Sequence, residues 1–372
     1  MNEDEKWIQL TFDLAKKGIS GASPNPLVGC VIVKNNRVVG QGTHANFGGP
    51  HAEIVALKKS GENAKGGALY TNLEPCCHWG KTPPCTRAII QAGIRKVISS
   101  LPDPNPLVRN KGFKELKLAG IQVETGLFQP EAKDLNRYFI KYMTQKKPYV
   151  ILKSAMSLDG KIATSLKNSQ WISSKASRNF SHTLRTEMDG ILVGANTVRQ
   201  DNPSLTSHGK GRNPVRMVLT KTGELPKDLK IFNSSAPTWI FHSSPSLAKR
   251  KKIVEKNIEW IYLKSQNGNI TFHEFLKECA KREISKLLIE GGGITSTIAL
   301  EENEVDEILF FIAPILIGGK DAITVFDGKG FQRIKESLRL KKMETKKIGC
   351  DLMISARIKP KNSVGFKNST SQ

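Results

Sequence analysis

The chain has 372 residues, more than one hydrophobic core usually organises, so two domains are expected. At 38% hydrophobic and 24% charged residues it has a soluble globular composition, and no apolar run is long enough for a membrane helix. The formal charge of +23, from 57 Lys+Arg against 34 Asp+Glu, suits anionic partners; the cations are spread along the chain, so a generic basic surface is an equal reading.

The start, MNEDEKWIQL, is acidic and has no apolar signal region, which leads to the expectation of a cytoplasmic protein. Between Glu5 and Lys17 the residues Trp7, Ile8, Leu10, Phe12, Leu14 and Ala15 have the spacing of an amphipathic helix. Two apolar runs then flank Asn35-Asn36, the pattern of a hairpin with a tight turn. His51 to Ser60 reads as a helix and 68–72 as a short strand. Cys85 to Ala92 reads as a helix closed by Gly93, followed by a strand at 96–100, a helix at 113–119 and a strand at 121–124. Such alternation predicts an α/β layered domain.

The run KYMTQKKPYV (141–150) clusters lysines around Pro148 and places the boundary there, giving domains 1–147 and 148–372. The second half repeats the alternation. Strands are expected at 149–155, 190–194, 215–220, 239–242, 260–263, 286–289 and 305–313, and helices at 174–185, 272–282 and 294–300. The polar tail from residue 361 reads as frayed.

Three of the six cysteines fall within ten residues, a pattern of metal binding rather than of a disulfide framework. His51-Ala52-Glu53 is followed downstream by Pro75-Cys76 and then Cys85. Zinc deaminases hold their metal with one His and two Cys and use a Glu two residues after the His as general acid/base. His51, Cys76 and Cys85 are therefore the candidate ligands of one Zn2+, and Glu53 the catalytic residue. Three protein ligands leave a fourth tetrahedral position for water, whose pKa zinc lowers. His51 and Cys85 both sit at expected helix N-termini, where the dipole favours a thiolate. Cys77 and His78 lie beside a ligand, and either could close a four-ligand structural site instead. Cys30, in an apolar strand, reads as a small core residue.

Eight residues, Cys77 to Pro84, separate the two cysteine ligands, where the common deaminase signature has two. With that spacing, PNPLVGCVIV, GGPHAE and EPCCHWGKTPPC resemble the deaminase half of the bifunctional riboflavin-biosynthesis enzymes of the RibD family, over residues 5 to 145. The resemblance implies that Asn25, held between two prolines, faces the pyrimidine, though a plain turn residue is an equal reading. It also implies a substrate contact for His44, which is otherwise a solvated loop histidine. DPNPLV (103–108) matches the family, whose usual continuation is near AGKG, whereas this chain has Arg109-Asn110-Lys111-Gly112.

The second half lacks GxGxxG but has a strand ending in Glu290, then Gly291-Gly292-Gly293, then a helix, an arrangement that lets a phosphate approach backbone N–H groups. A tight strand–helix connection reads equally well. SAMSLDGKIA, NSQWIS, Leu184-Arg185, GANTVRQDNPSLT and LLIEGGG resemble the reductase half of the same family, with a dihydrofolate-reductase-like fold, over residues 148 to 357. The resemblance implies NADPH contacts from Ala155, Trp171, Thr197, Asp201 and the loop Gly292, Gly293, Ile294, Thr295, Ser296, Thr297 and Ile298. It implies substrate contacts from Ser169, Arg185, Leu205 and Glu290. No proton donor stands out. His208 stands where the family commonly has an arginine that binds phosphate, and Lys210 or Arg212 on the same loop are alternatives. Lys221 is a candidate for the 2′-phosphate of NADPH, or a solvated turn lysine.

Together these features predict two layered α/β domains, a cytidine-deaminase-like one and a dihydrofolate-reductase-like one. They would deaminate 2,5-diamino-6-(5-phosphoribosylamino)pyrimidin-4-one and then reduce the ribosyl product with NADPH. The expected partners are phosphorylated pyrimidines and no membrane. The long cysteine spacing and the second half speak against a nucleic-acid-editing deaminase, and the intact His51, Glu53, Cys76 and Cys85 against a scaffold with a degenerate site. Homo-oligomer formation is left open.

Overall fold

Asn2 caps the first helix, α1 (Glu3–Lys16): its side chain accepts the Glu5 N–H at 2.8 Å, and the Glu5 carboxylate accepts the Asn2 N–H at 2.9 Å. The structure, a computed structural model, describes residues 2–80, 83–248, 254–255, 257–265, 270–328 and 330–359. Contacts divide the chain into two compact units, 1–148 with 279–285, and 149–278 with 286–372.

In the first unit α1 is followed by β1 (Gly29–Lys34), β2 (Arg37–Thr43), α2 (Ala52–Ser60), β3 (Ala68–Thr71), α3 (Cys85–Gln91), β4 (Lys96–Ser99), α4 (Lys111–Leu118), β5 (Gln122–Thr125), α5 (Gln129–Leu135) and α6 (Arg137–Gln145). Asn35 and Asn36 both take left-handed backbone angles (φ 49° and 56°), the geometry that a two-residue hairpin turn demands. The strands order as β2-β1-β3-β4-β5, antiparallel at the hairpin side and parallel from β3 to β5. Ile8, Ile32, Leu69, Ile98 and Leu116 form the fully buried centre of the core. Gly42 lets α2 lie directly on β2, because a Cβ there would come within 2.0 Å of the Ala52 carbonyl. The start of α2 is thereby pinned.

The segment between α1 and β1 has no ladder partners and is held by two buried asparagines. Asn136 accepts the Leu27 N–H at 2.8 Å and donates to the Leu27 carbonyl at 3.0 Å. Asn72 accepts the Gly29 N–H and donates to the same carbonyl, both at 2.8 Å. Buried backbone groups must be paired somewhere, and here side chains replace a strand.

The second unit comprises β6 (Tyr149–Ser157), β7 (Lys161–Ala163), α7 (Lys175–Glu187), β8 (Gly190–Gly194), α8 (Ala195–Asp201), β9 (Val215–Thr220), β10 (Thr238–His242), α9 (Pro245–Ala248), β11 (Val254–Glu255), β12 (Ile258–Tyr262), α10 (Phe272–Lys281), β13 (Lys286–Ile289), α11 (Gly293–Glu301), β14 (Glu307–Ala313), β15 (Ile323–Thr324), β16 (Leu340–Ile348) and β17 (Asp351–Ile358). Ten strands form one sheet, β11-β12-β10-β9-β8-β13-β6-β14-β17-β16, and β15 pairs with β7 separately. From β12 to β14 all neighbours are parallel, while β11, β17 and β16 add antiparallel edges. Leu287, Leu288 and Ile289 are wholly buried, as strands covered on both faces must be. The carboxyl ends of β13 and β8 open into the glycine loop and α8, where ligands of open α/β sheets bind.

Two expectations change. The stretch read as a linker contains the end of α6, because Phe139, Ile140 and Met143 pack on the core despite the surrounding lysines. The helix α5 and the β16–β17 hairpin were not foreseen. The frayed tail lies outside the described residues.

The asparagine clamp generates a stability prediction. Asn136→Leu leaves the buried Leu27 N–H without its acceptor, at a cost of about 1–3 kcal/mol. Chemical unfolding should show that loss, and an unchanged midpoint would mean that the clamp carries no stability.

Candidate active sites

In the first unit the chain brings the four predicted residues together. His51 is the N-cap of α2, Glu53 lies in its first turn, and Cys85 opens α3. His51 Nδ1 is 3.2 Å from Cys85 Sγ and 3.4 Å from Cys76 Sγ. The donor atoms of all three residues lie within 4.8 Å of one another, as ligands of one ion must. Among the described residues no fourth protein ligand joins this group, so neither Cys77 nor His78 closes the site. One imidazole and two thiols suit zinc with an open position. The Cys85 thiol donates to Cys76, and this bond, with His51, brings the Cys76 thiol down to about 4 against the effect of burial. Glu53 is 4% exposed, and burial raises its carboxyl to about 6, with His51 opposing. A carboxyl near neutrality can both take and give a proton.

Asn25 and His44 form a pair. His44 is buried; its Nδ1 lies 3.0 Å from the Pro50 carbonyl and its Nε2 3.0 Å from Asn25 Nδ2. Burial lowers its pKa, so the neutral ring donates to Pro50 and accepts from Asn25. The His44 ring meets the His51 ring edge-on at 5.4 Å, which places the pair beside the metal donors. Sequence reasoning missed Glu74 and Asp103. The Glu74 carboxylate accepts the backbone N–H groups of Asp103, Asn110 and Phe113 at 3.0, 2.9 and 3.2 Å, tying 103–113 to the loop after β3 that carries Cys76. Asp103 is buried, and that burial, with Glu74, Cys76 and Glu53 nearby, pushes its carboxyl up to about 7.

In the second unit Gly291 and Gly292 take φ of 130° and 81°, a backbone open to glycine. Gly292 is the N-cap of α11 with no side chain capping it, which leaves the first-turn N–H groups for an anion. A Cβ on Gly292 would stand 3.0 Å from Thr197 Oγ1, so Thr197, on α8, lines the same cradle. These features fit a dinucleotide phosphate. Thr295 and Ser296 are buried, Ile294 is exposed, and Ile298 is half-buried one turn on. Thr297 accepts the Asp327 N–H at 2.8 Å, and Gly293 packs against Asp327. Ser169 donates to Asp201 at 3.1 Å, which brings those two predicted residues together. Trp171 is 69% exposed under the Arg178 guanidinium, so it is not core. Ala155 lies on β6, and Lys221 is exposed just after β9.

Arg185 and Glu290 make a bidentate pair at 2.9 and 2.7 Å, with side chains 11% and 6% exposed. Burial alone would raise the Glu290 carboxyl, but Arg185 holds it at about 2. Leu205 is buried with φ 52°, and the turn after it brings His208 to stack on His182. Arg212 is committed elsewhere, to Asp189 at 2.8 Å and to the carbonyls of Thr186 and Met188. Sequence reasoning also missed Lys153, half-buried on β6; burial lowers its pKa, against the pull of Glu290.

Known proteins place these features. Residues 1–101 match the family described as the cytidine and deoxycytidylate deaminase zinc-binding region, and residues 148–354 match the RibD C-terminal domain. The riboflavin biosynthesis protein RibD of Aquifex aeolicus is 42% identical, over 94% of this chain and 97% of its own. That of Bacillus amyloliquefaciens is 40% identical, over 95% and 96%. The solved structure of Acinetobacter baumannii RibD is 35% identical with a TM-score of 0.87, covering 96% of this chain and 99% of that one. A diaminohydroxyphosphoribosylaminopyrimidine deaminase/5-amino-6-(5-phosphoribosylamino)uracil reductase from Thermotoga maritima is 34% identical with a TM-score of 0.85, over 96% and 99%. The deaminase module is of the zinc-binding kind and the reductase module of the NADPH-using kind. No helix among the described residues is long and apolar enough to cross a membrane. The chain belongs to the RibD family of bifunctional deaminase/reductases of riboflavin biosynthesis.

Proposed function

We propose that residues 1–147 deaminate the phosphoribosylaminopyrimidine and that residues 148–372 reduce its ribosyl chain, each half with its own site. The observation that carries the first step is the convergence of His51, Cys76 and Cys85 beside the buried Glu53. Zinc held by these three residues would act as a Lewis acid and make water a nucleophile near neutral pH. Glu53 takes one proton from the attacking water and gives it to the ring nitrogen, then passes the remaining hydroxyl proton to the departing amine, so that ammonia leaves and an oxo group remains. Asn25, oriented by His44, offers its amide to the pyrimidine. Three donor residues rather than four, among the described residues, support hydrolysis over a structural metal role.

NADPH bound in the second half would supply the hydride for C1 of the opened ribose. The glycine loop and the first turn of α11 take the dinucleotide phosphates, and Thr197, Asp201, Trp171 and Ala155 flank them. Lys221 takes the 2′-phosphate. Arg185 and Glu290 bind the ribosyl phosphate substrate, with Ser169, Leu205 and His208 around it. Reduction also consumes a proton. Glu290 is held ionised, so the group placed to deliver that proton is Lys153, whose pKa burial brings down. The substrates carry phosphate, which gives the basic charge a use. All six cysteines are free, and two serve as thiolate ligands, which supports a reducing, cytoplasmic setting.

Two variants separate the halves. Glu53→Gln should keep zinc and lower deamination at least about a hundredfold, up to about ten-thousandfold, with reduction of the supplied deaminated intermediate intact. Near-normal deamination would remove Glu53 from the mechanism, and parallel loss of both activities in folded, zinc-loaded protein would mean a shared site. Lys153→Met should do the reverse, lowering the reductase kcat about a hundredfold at unchanged deamination. An unaltered reductase kcat would take the proton from another group.

A further inference from the structure

Beside the Glu290 carboxylate, Arg185 is not an unmatched cation. Its Nε and Nη2 are taken by Glu290 and its Nη1 by the Thr206 carbonyl at 2.7 Å. What stands next to this pair is two imidazoles. His182 lies one turn before Arg185 on α7, on the same helix face. His208 comes from the turn after Leu205 and stacks on it, with ring centroids 4.0 Å apart and planes inclined at 22°. His208 Nε2 is 3.1 Å from Ser204 Oγ, so the outer ring is itself oriented. The groups whose charges act on His182 are His208, Arg185, Lys153 and Glu290, and those acting on His208 are Arg185 and Glu290.

We propose that the His182–His208 stack is a proton-taking anion site, which binds the phosphate monoester of the sugar substrate by acquiring one proton from solvent as the phosphate arrives. The proposal rests on reading this half as a reductase of a ribosyl phosphate. Two positive rings at 4.0 Å repel, so the stack holds one proton at most. Burial and the neighbouring Arg185 keep both rings neutral, with His182, which His208 also disfavours as a cation, lowered to about 4 and His208 below its ordinary value. A phosphate dianion placed against them reverses the local field and raises the pKa of the ring it touches. The bound-state pKa then lies above the free-state one. Affinity gained this way is complete below the free-state pKa and is lost as pH rises through the bound-state pKa. An arginine at position 208 would hold its charge at every pH and show no such dependence.

The test uses zinc-loaded full-length protein and ribose 5-phosphate as the probe, by titration calorimetry between about pH 6.5 and 8.5, where the ester stays largely dianionic. Two buffers of different ionisation enthalpy report proton uptake. The signal that belongs to this site is the part that His208→Gln abolishes. Wild type should take up a proton, with Kd weakening severalfold per pH unit, toward the limit of about tenfold for one linked proton. His208→Arg should bind with no proton uptake and a flat pH profile. The proposal is overturned if wild type binds no ribose 5-phosphate sensitive to His208→Gln, if its binding is flat in pH, or if His208→Arg keeps the wild-type slope. Reduction of the deaminated ribosyl phosphate with NADPH is assayed on the same preparations. Normal turnover with flat binding sinks the proton-linked site alone, whereas proton-linked binding without turnover sinks the reductase reading alone.

Discussion

Two helices meet at their N-termini, and the deaminase half is organised around that meeting. His51 precedes α2 and Cys85 begins α3, so both present a metal donor at the positive end of a helix. The approach is possible because Gly42 has no Cβ where β2 passes under Ala52. From that fixed point Glu53 has nowhere to go but the buried space next to the donors. Its raised carboxyl follows chiefly from that burial, with His51 opposing and Cys76 adding to it. Cys76 comes from the loop between β3 and α3, and Glu74 in the same loop braces residues 103–113.

The second half uses buried charge differently. Arg185 and Glu290 neutralise one another, so the pair contributes shape and hydrogen-bonding capacity more than net charge. Lys153 and the two histidines are left as the groups whose protonation can respond to what binds. A net charge of +23 draws anions toward the protein without choosing among them.

Much of this was legible in the sequence because the signals are local. Asn35-Asn36 forces a hairpin turn, Gly93 ends α3 with φ 66°, and the apolar face of α1 fixes which side meets the sheet. The metal donors were legible because their residue types and order are rare by chance. Other features depend on partners far away in the chain. The strand β16 is exposed along its length and reads LKKMETKKI, with no alternation to betray it; pairing with β17 makes it a strand. The helix α6 looked like a linker because its lysines outweigh the apolar stripe of Phe139, Ile140 and Met143. Lys153 is one charge within a strand, and only the fold sets it beside Glu290. For the same reason Arg212 looked available until Asp189 was seen to hold it.

The grip of Glu74 on the loop 103–113 is made entirely through backbone amides. A loop anchored in that way keeps its path whatever side chains decorate it, provided that no proline removes one of the three N–H groups. This chain departs from its family's usual wording at Arg109 and Asn110, and the departure lies inside the braced segment. The brace therefore separates two properties of the loop: its course is held through one carboxylate, while the side chains on its surface are free of that constraint.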